Sequence, residues 1–223
     1  MKGFPMRRAL LLLTMLLTPL LAMAEGESSY LSLKGGAFLP NGTGASPDGR
    51  DNGLANLNTG YNGELAIGFL PAPYAAIEFA TGFFHCEADL AEPLANRSVN
   101  VTAEGIPMTV TAKAIAHFDH LQLFAGAGAG YYFTILRAKT TNLNPPQQVL
   151  ADEEFHASAP GYHLVAGGDI MLGKAVSIGA EYKWFNTRPE YNLRNSVWQP
   201  TADKVKWQFG GAQANLVLTF HFQ

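Results

Sequence analysis

Apolar and polar residues alternate one by one through most of this chain, and beyond its first 24 residues no apolar run reaches helix length. A period of two is the pattern of a strand with two unlike faces. Leu31, Leu33, Ala37 and Leu39 fall on one face, with Ser32, Lys34 and Gly36 on the other. Tyr61, Leu65, Ile67 and Phe69 oppose Asn62, Glu64, Ala66 and Gly68. Ile77, Phe79, Thr81 and Phe83 oppose Glu78, Ala80 and Gly82, and Met108, Val110, Ala112 and Ala114 oppose Thr109, Thr111 and Lys113. The second half repeats the pattern at 121–131, 162–170, 176–184 and 212–222. Eight strands are predicted, and an all-β fold with them.

The segments between them alternate in length. Pro71-Ala72-Pro73, the HFDH turn at 117–120 and Leu172–Ala175 are short. Residues 41–59, 87–106, 138–156 and 186–206 are long and rich in Asn, Pro, Thr and charge. Short turns at one end and long loops at the other are the layout of an antiparallel up-and-down transmembrane β-barrel. The charges agree with it. The apolar faces carry none, whereas Lys34, Glu64, Glu78, Lys113, Asp169, Glu181 and Lys183 share the other face with the glycines and small residues. A soluble barrel of lipocalin type places apolar residues inside and charges outside. A charge facing lipid costs about 2–4 kcal/mol at mid-membrane, so these seven are predicted to form a charge network in the lumen. Phe38, Phe69, Tyr74, Phe118, Tyr131, Phe133, Tyr182, Trp184, Phe209, Phe220 and Phe222 mark strand ends, where interfacial girdles lie.

The start of the chain indicates export. Lys2, Arg7 and Arg8 precede an apolar run from Ala9 to Leu21, and Ala22-Met23-Ala24 has the small-x-small form of a cleavage site. The run falls short of the roughly 20 residues of a membrane-spanning helix. Residues 1–24 are therefore expected to be a signal peptide and residues 25–223 one barrel domain. The formal charge of −3 gives no basic surface for nucleic acid. Cys86, the single cysteine, is expected to be a small apolar strand residue.

Five short stretches invite chemistry. LFAGAGAGYYF (123–133) has glycines at 126, 128 and 130. A dinucleotide turn needs its third glycine at position 131, which is Tyr131, and the stretch continues as a strand. The glycines are expected to face the lumen and leave room for charged side chains. His156-x-Ser158 has the His-x-Ser core of the outer-membrane lipid A deacylases, but Ala159 follows where those enzymes have Asn, and Asp169 is about 11 residues away along the strand, too far to orient the histidine. His117, Asp119 and His120 in the HFDH turn, the Asp152-Glu153-Glu154 run and the 48–52 stretch are expected to be polar turns and loop tips, with no metal or other cofactor.

The segments YLSLKGGAFLPN (30–41), GYNGELAIGF (60–69), LFAGAGAGYYF (123–133), LVAGGDIML (164–172), VSIGAEYKWF (176–185) and NLVLTFHF (215–222) together resemble the small eight-stranded outer-membrane barrels, the broad family of the OmpA membrane domain, OmpX and OmpW. Such barrels typically end on an aromatic residue read by the barrel-insertion machinery; here Phe222 is followed by Gln223. The resemblance implies residence in the outer membrane of a Gram-negative-type bacterium, among lipid and lipopolysaccharide. The expected role is non-enzymatic: a structural barrel meeting an extracellular partner through its long loops. Tyr191, Trp198 and Trp207 in the fourth loop are the candidate contact residues. Narrow porin-like passage of small or apolar solutes and modification of lipid A are the alternatives. A folded barrel should migrate faster on a gel when unheated than when boiled, and should resist protease in detergent. A helical circular dichroism spectrum, or recovery from the soluble periplasm, would contradict it.

Overall fold

The computed structural model describes residues 28–41, 57–92, 97–142, 148–192, 204–206 and 209–222. The expected signal peptide lies outside the described residues. Eight antiparallel strands close into a barrel: β1 (Ser29–Pro40), β2 (Gly60–Ala72), β3 (Ala75–Glu92), β4 (Arg97–Phe118), β5 (Leu121–Asn142), β6 (Gln148–Met171), β7 (Val176–Thr187) and β10 (Phe209–Phe222). Each pairs with its neighbour in the chain, and β1 pairs with β10 to close the ring. Two three-residue strands, β8 (Glu190–Asn192) and β9 (Lys204–Lys206), form a hairpin of their own. Within the closed ring each strand is paired on both sides, as a chain in lipid requires.

Strand length is uneven, and here the sequence-based reading needs correction. β1, β2, β7 and β10 have 12 to 14 residues, near the span a membrane needs. β3 to β6 have 18 to 24. Residues 87–92, 97–106, 138–142 and 148–156, read from composition as loop, are strand. Their pairing runs on to Glu92↔Arg97 between β3 and β4 and to Asn142↔Gln148 between β5 and β6. Polar composition misled because alternation persists beyond the membrane. Ala88, Val101, Ala103, Leu136 and Ala138 stay buried on the inner face while charges occupy the outer one. One side of the barrel thus rises as a four-stranded sheet. A surplus of roughly 10 residues at about 3.3 Å each adds some 30 Å along the strands.

The faces divide as alternation predicts. Leu33, Leu65, Phe79, Val110, Leu164, Ile178 and Leu216 point outward and are exposed to the lipid region. All seven charged residues of the other face are buried inside. Glycine placement explains how they fit. Glu64 lies opposite Gly82, Glu78 opposite Gly68, Lys113 opposite Gly126, Asp169 opposite Gly179 and Glu181 opposite Gly167. His163, also buried, lies opposite Gly128. An eight-stranded lumen is just wide enough for its own side chains. A large inward group is accommodated by deleting the side chain beside it. A Cβ on Gly128 would sit 2.5 Å from the His163 ring, and one on Gly68 would collide with the Tyr30 ring.

This arrangement sets a contrast between neighbouring positions of β5. Gly128→Leu should destabilise the barrel by about 1–3 kcal/mol, the usual cost of overpacking. Ala127→Leu, one residue away and facing lipid, should change stability little. Urea unfolding in detergent micelles reads both; equal effects would show that the two positions do not face opposite sides.

Candidate functional site

The middle of the lumen is an ion-paired network built from five strands. The Lys34 ammonium on β1 meets Glu64 of β2 at 3.0 Å, Glu78 of β3 at 2.7 Å and Glu181 of β7 at 3.0 Å. Lys113 of β4 meets Glu78 at 2.7 Å and Glu181 at 3.0 Å, and its Nζ lies 4.5 Å from the centre of the Phe124 ring. Lys183 of β7 pairs with Glu64. Tyr30 donates a hydrogen bond of 2.9 Å to Glu78. Three carboxylates and three ammoniums balance, and the pairing offsets the desolvation that an isolated buried charge would suffer. The structure therefore brings six of the seven sequence-identified residues together. Asp169 is buried too but makes no ion pair with them, and it lines a cavity on the turn side of the network.

Above the network, toward the tall sheet, the lumen becomes apolar. Phe38, Phe84, Phe185, Phe209 and Tyr132 pack there with Cys86, Val101 and Leu136. Phe38 and Phe84 have ring centres 5.0 Å apart, and Tyr132 stacks on Phe185 at 5.1 Å. Phe38 and Phe209 are thus interior residues, not girdle residues. They share the inward parity of Lys34 and Gln213, and that parity overrides their position near strand ends. Tyr74, Phe118, Tyr131, Phe133, Tyr182 and Phe222 are exposed on the outside. Cys86 is a buried free thiol in the aromatic layer. The aromatic layer was missed from sequence, although parity was the signal that could have found it.

The fourth connection also differs from expectation. Tyr191 on β8 is 3% exposed, and its hydroxyl donates to Thr134 Oγ1 at 2.7 Å. It is a packing residue that ties the β8–β9 hairpin to the tall sheet, not a contact surface; burial pushes its phenol up to about 12. The chain turns back after β7, so the ring that looked free is folded inward over apolar neighbours. Trp198 and Trp207 lie outside the described residues.

The outer face of the tall sheet carries a continuous polar row. His85 faces Glu87 at 3.1 Å and Glu104 at 3.2 Å. Arg137 joins Glu104 at 3.3 Å to Glu154 at 2.8 Å, and Glu154 reaches His156 at 2.8 Å. The Arg137 hydrogen bond holds the Glu154 carboxyl below its ordinary value. Directly below the row are the exposed Phe83, Ile106 and Phe133. Ser158 shares this face, but its hydroxyl pairs with the Tyr131 hydroxyl at 3.2 Å. In the HFDH turn, His117 donates to the Pro73 carbonyl at 2.7 Å, and Asp119 takes the left-handed conformation of a tight hairpin at φ 51°.

Solved structures of other outer membrane proteins superpose on this barrel to differing degrees. The outer membrane protein OprG from Pseudomonas aeruginosa superposes with a TM-score of 0.56 at 11% identity, over 88% of this chain and 97% of that one. A major outer membrane protein from Thermus thermophilus gives 0.49 at 12% identity, over 87% and 99%. Ail of Yersinia pestis, solved with the heparin analogue sucrose octasulfate, gives 0.45 at 12% identity, over 88% and 99%. At these identities the likeness to OprG is one of fold. No curated protein sequence matches. Residues 9–209 match the outer membrane protein beta-barrel domain, and the chain belongs to that family, whose members reside in the outer membrane of Gram-negative-type bacteria.

Proposed function

We propose that this barrel is a closed, non-enzymatic membrane stave whose function is to hold a one-sided extracellular sheet for contact with the cell's surroundings. The observation that carries the reading is the continuous pairing of β3 to β6 past the ends of their shorter neighbours. Short turns mark the periplasmic end in this architecture, so the extension projects outward from the cell. Its polar row begins just above the outward aromatic residues, at the level of lipopolysaccharide headgroups. A rigid sheet presents such groups with little ordering cost, which favours binding. The contact surface moves accordingly from the fourth loop to the outer faces of β3 to β6.

Passage through the lumen is disfavoured on this reading. The ion-paired network and the aromatic layer lie one above the other, and a solute would have to displace both. A specific pair gives the lipid A alternative its one support: Glu154 and His156, 2.8 Å apart, share a face with Ser158. The serine's bond to Tyr131 and the exposure of the histidine weigh against a nucleophile poised for attack.

Replacing residues 85–104 and 135–156 by tight turns should leave a heat-modifiable barrel and abolish surface binding by the complemented deletion strain. Retained binding would place the contact elsewhere. In planar bilayers the purified chain should show no sustained conductance, and Glu64→Ala or Lys113→Ala should alter any leak that appears. A steady conductance indifferent to both would favour a pore that bypasses the network. The lipid A mass spectrum should be unchanged on overexpression; loss of an acyl chain that depends on Ser158 would establish the enzymatic alternative.

A further inference from the structure

Asp169 of β6 is more than nine-tenths buried, and its Oδ1 has no hydrogen-bond partner. The neighbouring charges cannot supply one. An ammonium has three donors. Those of Lys34 are taken by Glu78 and both oxygens of Glu181, with the Glu64 carboxylate beside them at 3.0 Å. Those of Lys113 are taken by Glu78, Glu181 and the face of Phe124. The six-residue network is neutral without Asp169, so the aspartate is one negative charge in excess. Other buried side-chain atoms without a partner among the described residues are on neutral groups, except Glu64 Oε1, which lies 3.0 Å from the Lys34 ammonium.

The carboxylate does not sit in packed protein. It lines a cavity of about 50 Å³, together with Ser32, Gln122, Thr219 and the network's Lys113 and Glu181. Gln122 is its cross-strand neighbour on one side and Gly179 on the other. Leu70, Gln122 and His221 line both this cavity and a wider opening of about 450 Å³ among the periplasmic turns, bordered by Pro71, Pro73 and Lys174. The pocket is thus reachable from the periplasm and backed by the ion-paired network on the other side. A space of this size holds a few waters, or one ion with part of its hydration.

We propose that Asp169 and this cavity form a binding site for a small monovalent cation entering from the periplasm. The carboxylate supplies the charge. The oxygens of Gln122, Ser32 and Thr219 line the cavity and are of the type that hard cations take. Monovalence follows from the count of one uncompensated charge. It also agrees with the lack, among the described residues, of any cluster of three or more His, Cys, Asp or Glu able to hold a metal. A bound cation relieves the cost of an unpaired buried carboxylate, so it stabilises the folded barrel by mass action.

The test uses the full mature chain folded in dodecylmaltoside micelles, at fixed pH and ionic strength, with sodium or potassium chloride exchanged for N-methylglucammonium chloride. Small cations should raise the urea midpoint saturably. At about ten times the dissociation constant the unfolding equilibrium constant should fall roughly tenfold. Asp169→Asn should fold and lose the dependence. Sodium-23 relaxation gives a reading that needs no reversible unfolding: the wild type should broaden the sodium line, potassium should restore it, and Asp169→Asn should not broaden it. Equal behaviour in small and bulky cations, or the same cation response in Asp169→Asn, would overturn the site. Stability that follows pH but ignores the cation would also overturn it, since a proton would then be the only counter-charge. Bilayer conductance is a separate matter, so a leaking barrel would refute the closed lumen and leave this titration to be judged on its own.

Discussion

One ammonium surrounded by three carboxylates sets the terms for the rest of the barrel. Lys34 reaches from β1 to residues of β2, β3 and β7, and so ties opposite walls of the ring together. Such a contact is tolerable in a membrane when its own charges are paired and its bulky side chains have room to meet. Lys113 and Lys183 meet the first condition by engaging the free sides of the same carboxylates. The glycines meet the second. Opposite five of the seven charged residues the neighbouring strand offers no side chain at all. Glycine normally weakens a strand, but here each one leaves the room in which a buried ion pair can form.

The same constraint divides the lumen by height. Ionic groups fill the middle, where the short strands are all present and can contribute. Further out β1, β2, β7 and β10 run to their ends, and the ring narrows its polar supply. Phe38, Phe84, Phe185 and Phe209 fill that level by packing against one another. They sit near the ends of β1, β7 and β10 and on β3, and require no hydrogen-bond partners. The tall side then continues alone, with its inner face covered in part by the β8–β9 hairpin through Tyr191. Its outer face is free to be polar because it has left the lipid.

How much of this was readable in the sequence follows from what a period of two encodes. Parity gives the face of each residue, and so the inward position of all seven charges, the outward alanines of 125–129 and the eight barrel strands. It does not give height. Asp169 and Glu181 share a face, yet only Glu181 meets the ammoniums. The relative stagger of β6 and β7 decides that, and stagger is a property of barrel closure. Parity also carried the inward orientation of Phe38 and Phe209, but the rule that aromatics gather at membrane interfaces was given more weight. The extension of β3 to β6 was hidden for another reason: Asn, Thr and charged residues suit both a loop and a solvated strand face. Only the alternation of Val99, Val101 and Ala103 distinguished the two.

The two ends of the barrel, among the described residues, are consequently different chemical environments with an aromatic layer between them. The periplasmic end opens through hydroxyl, amide and imidazole groups onto one unbalanced carboxylate. The extracellular end holds a layer of packed aromatic rings and continues as a sheet whose charges face sideways, toward the level of the headgroups. A conducting channel needs binding groups that continue from one mouth to the other. On the reading proposed above, the aromatic layer interrupts them here. On that reading the lumen acts as a keystone that ties the ring together, and the chemistry available to other molecules lies at the two rims. This division explains why the charged residues most conspicuous in the sequence are the least accessible in the structure.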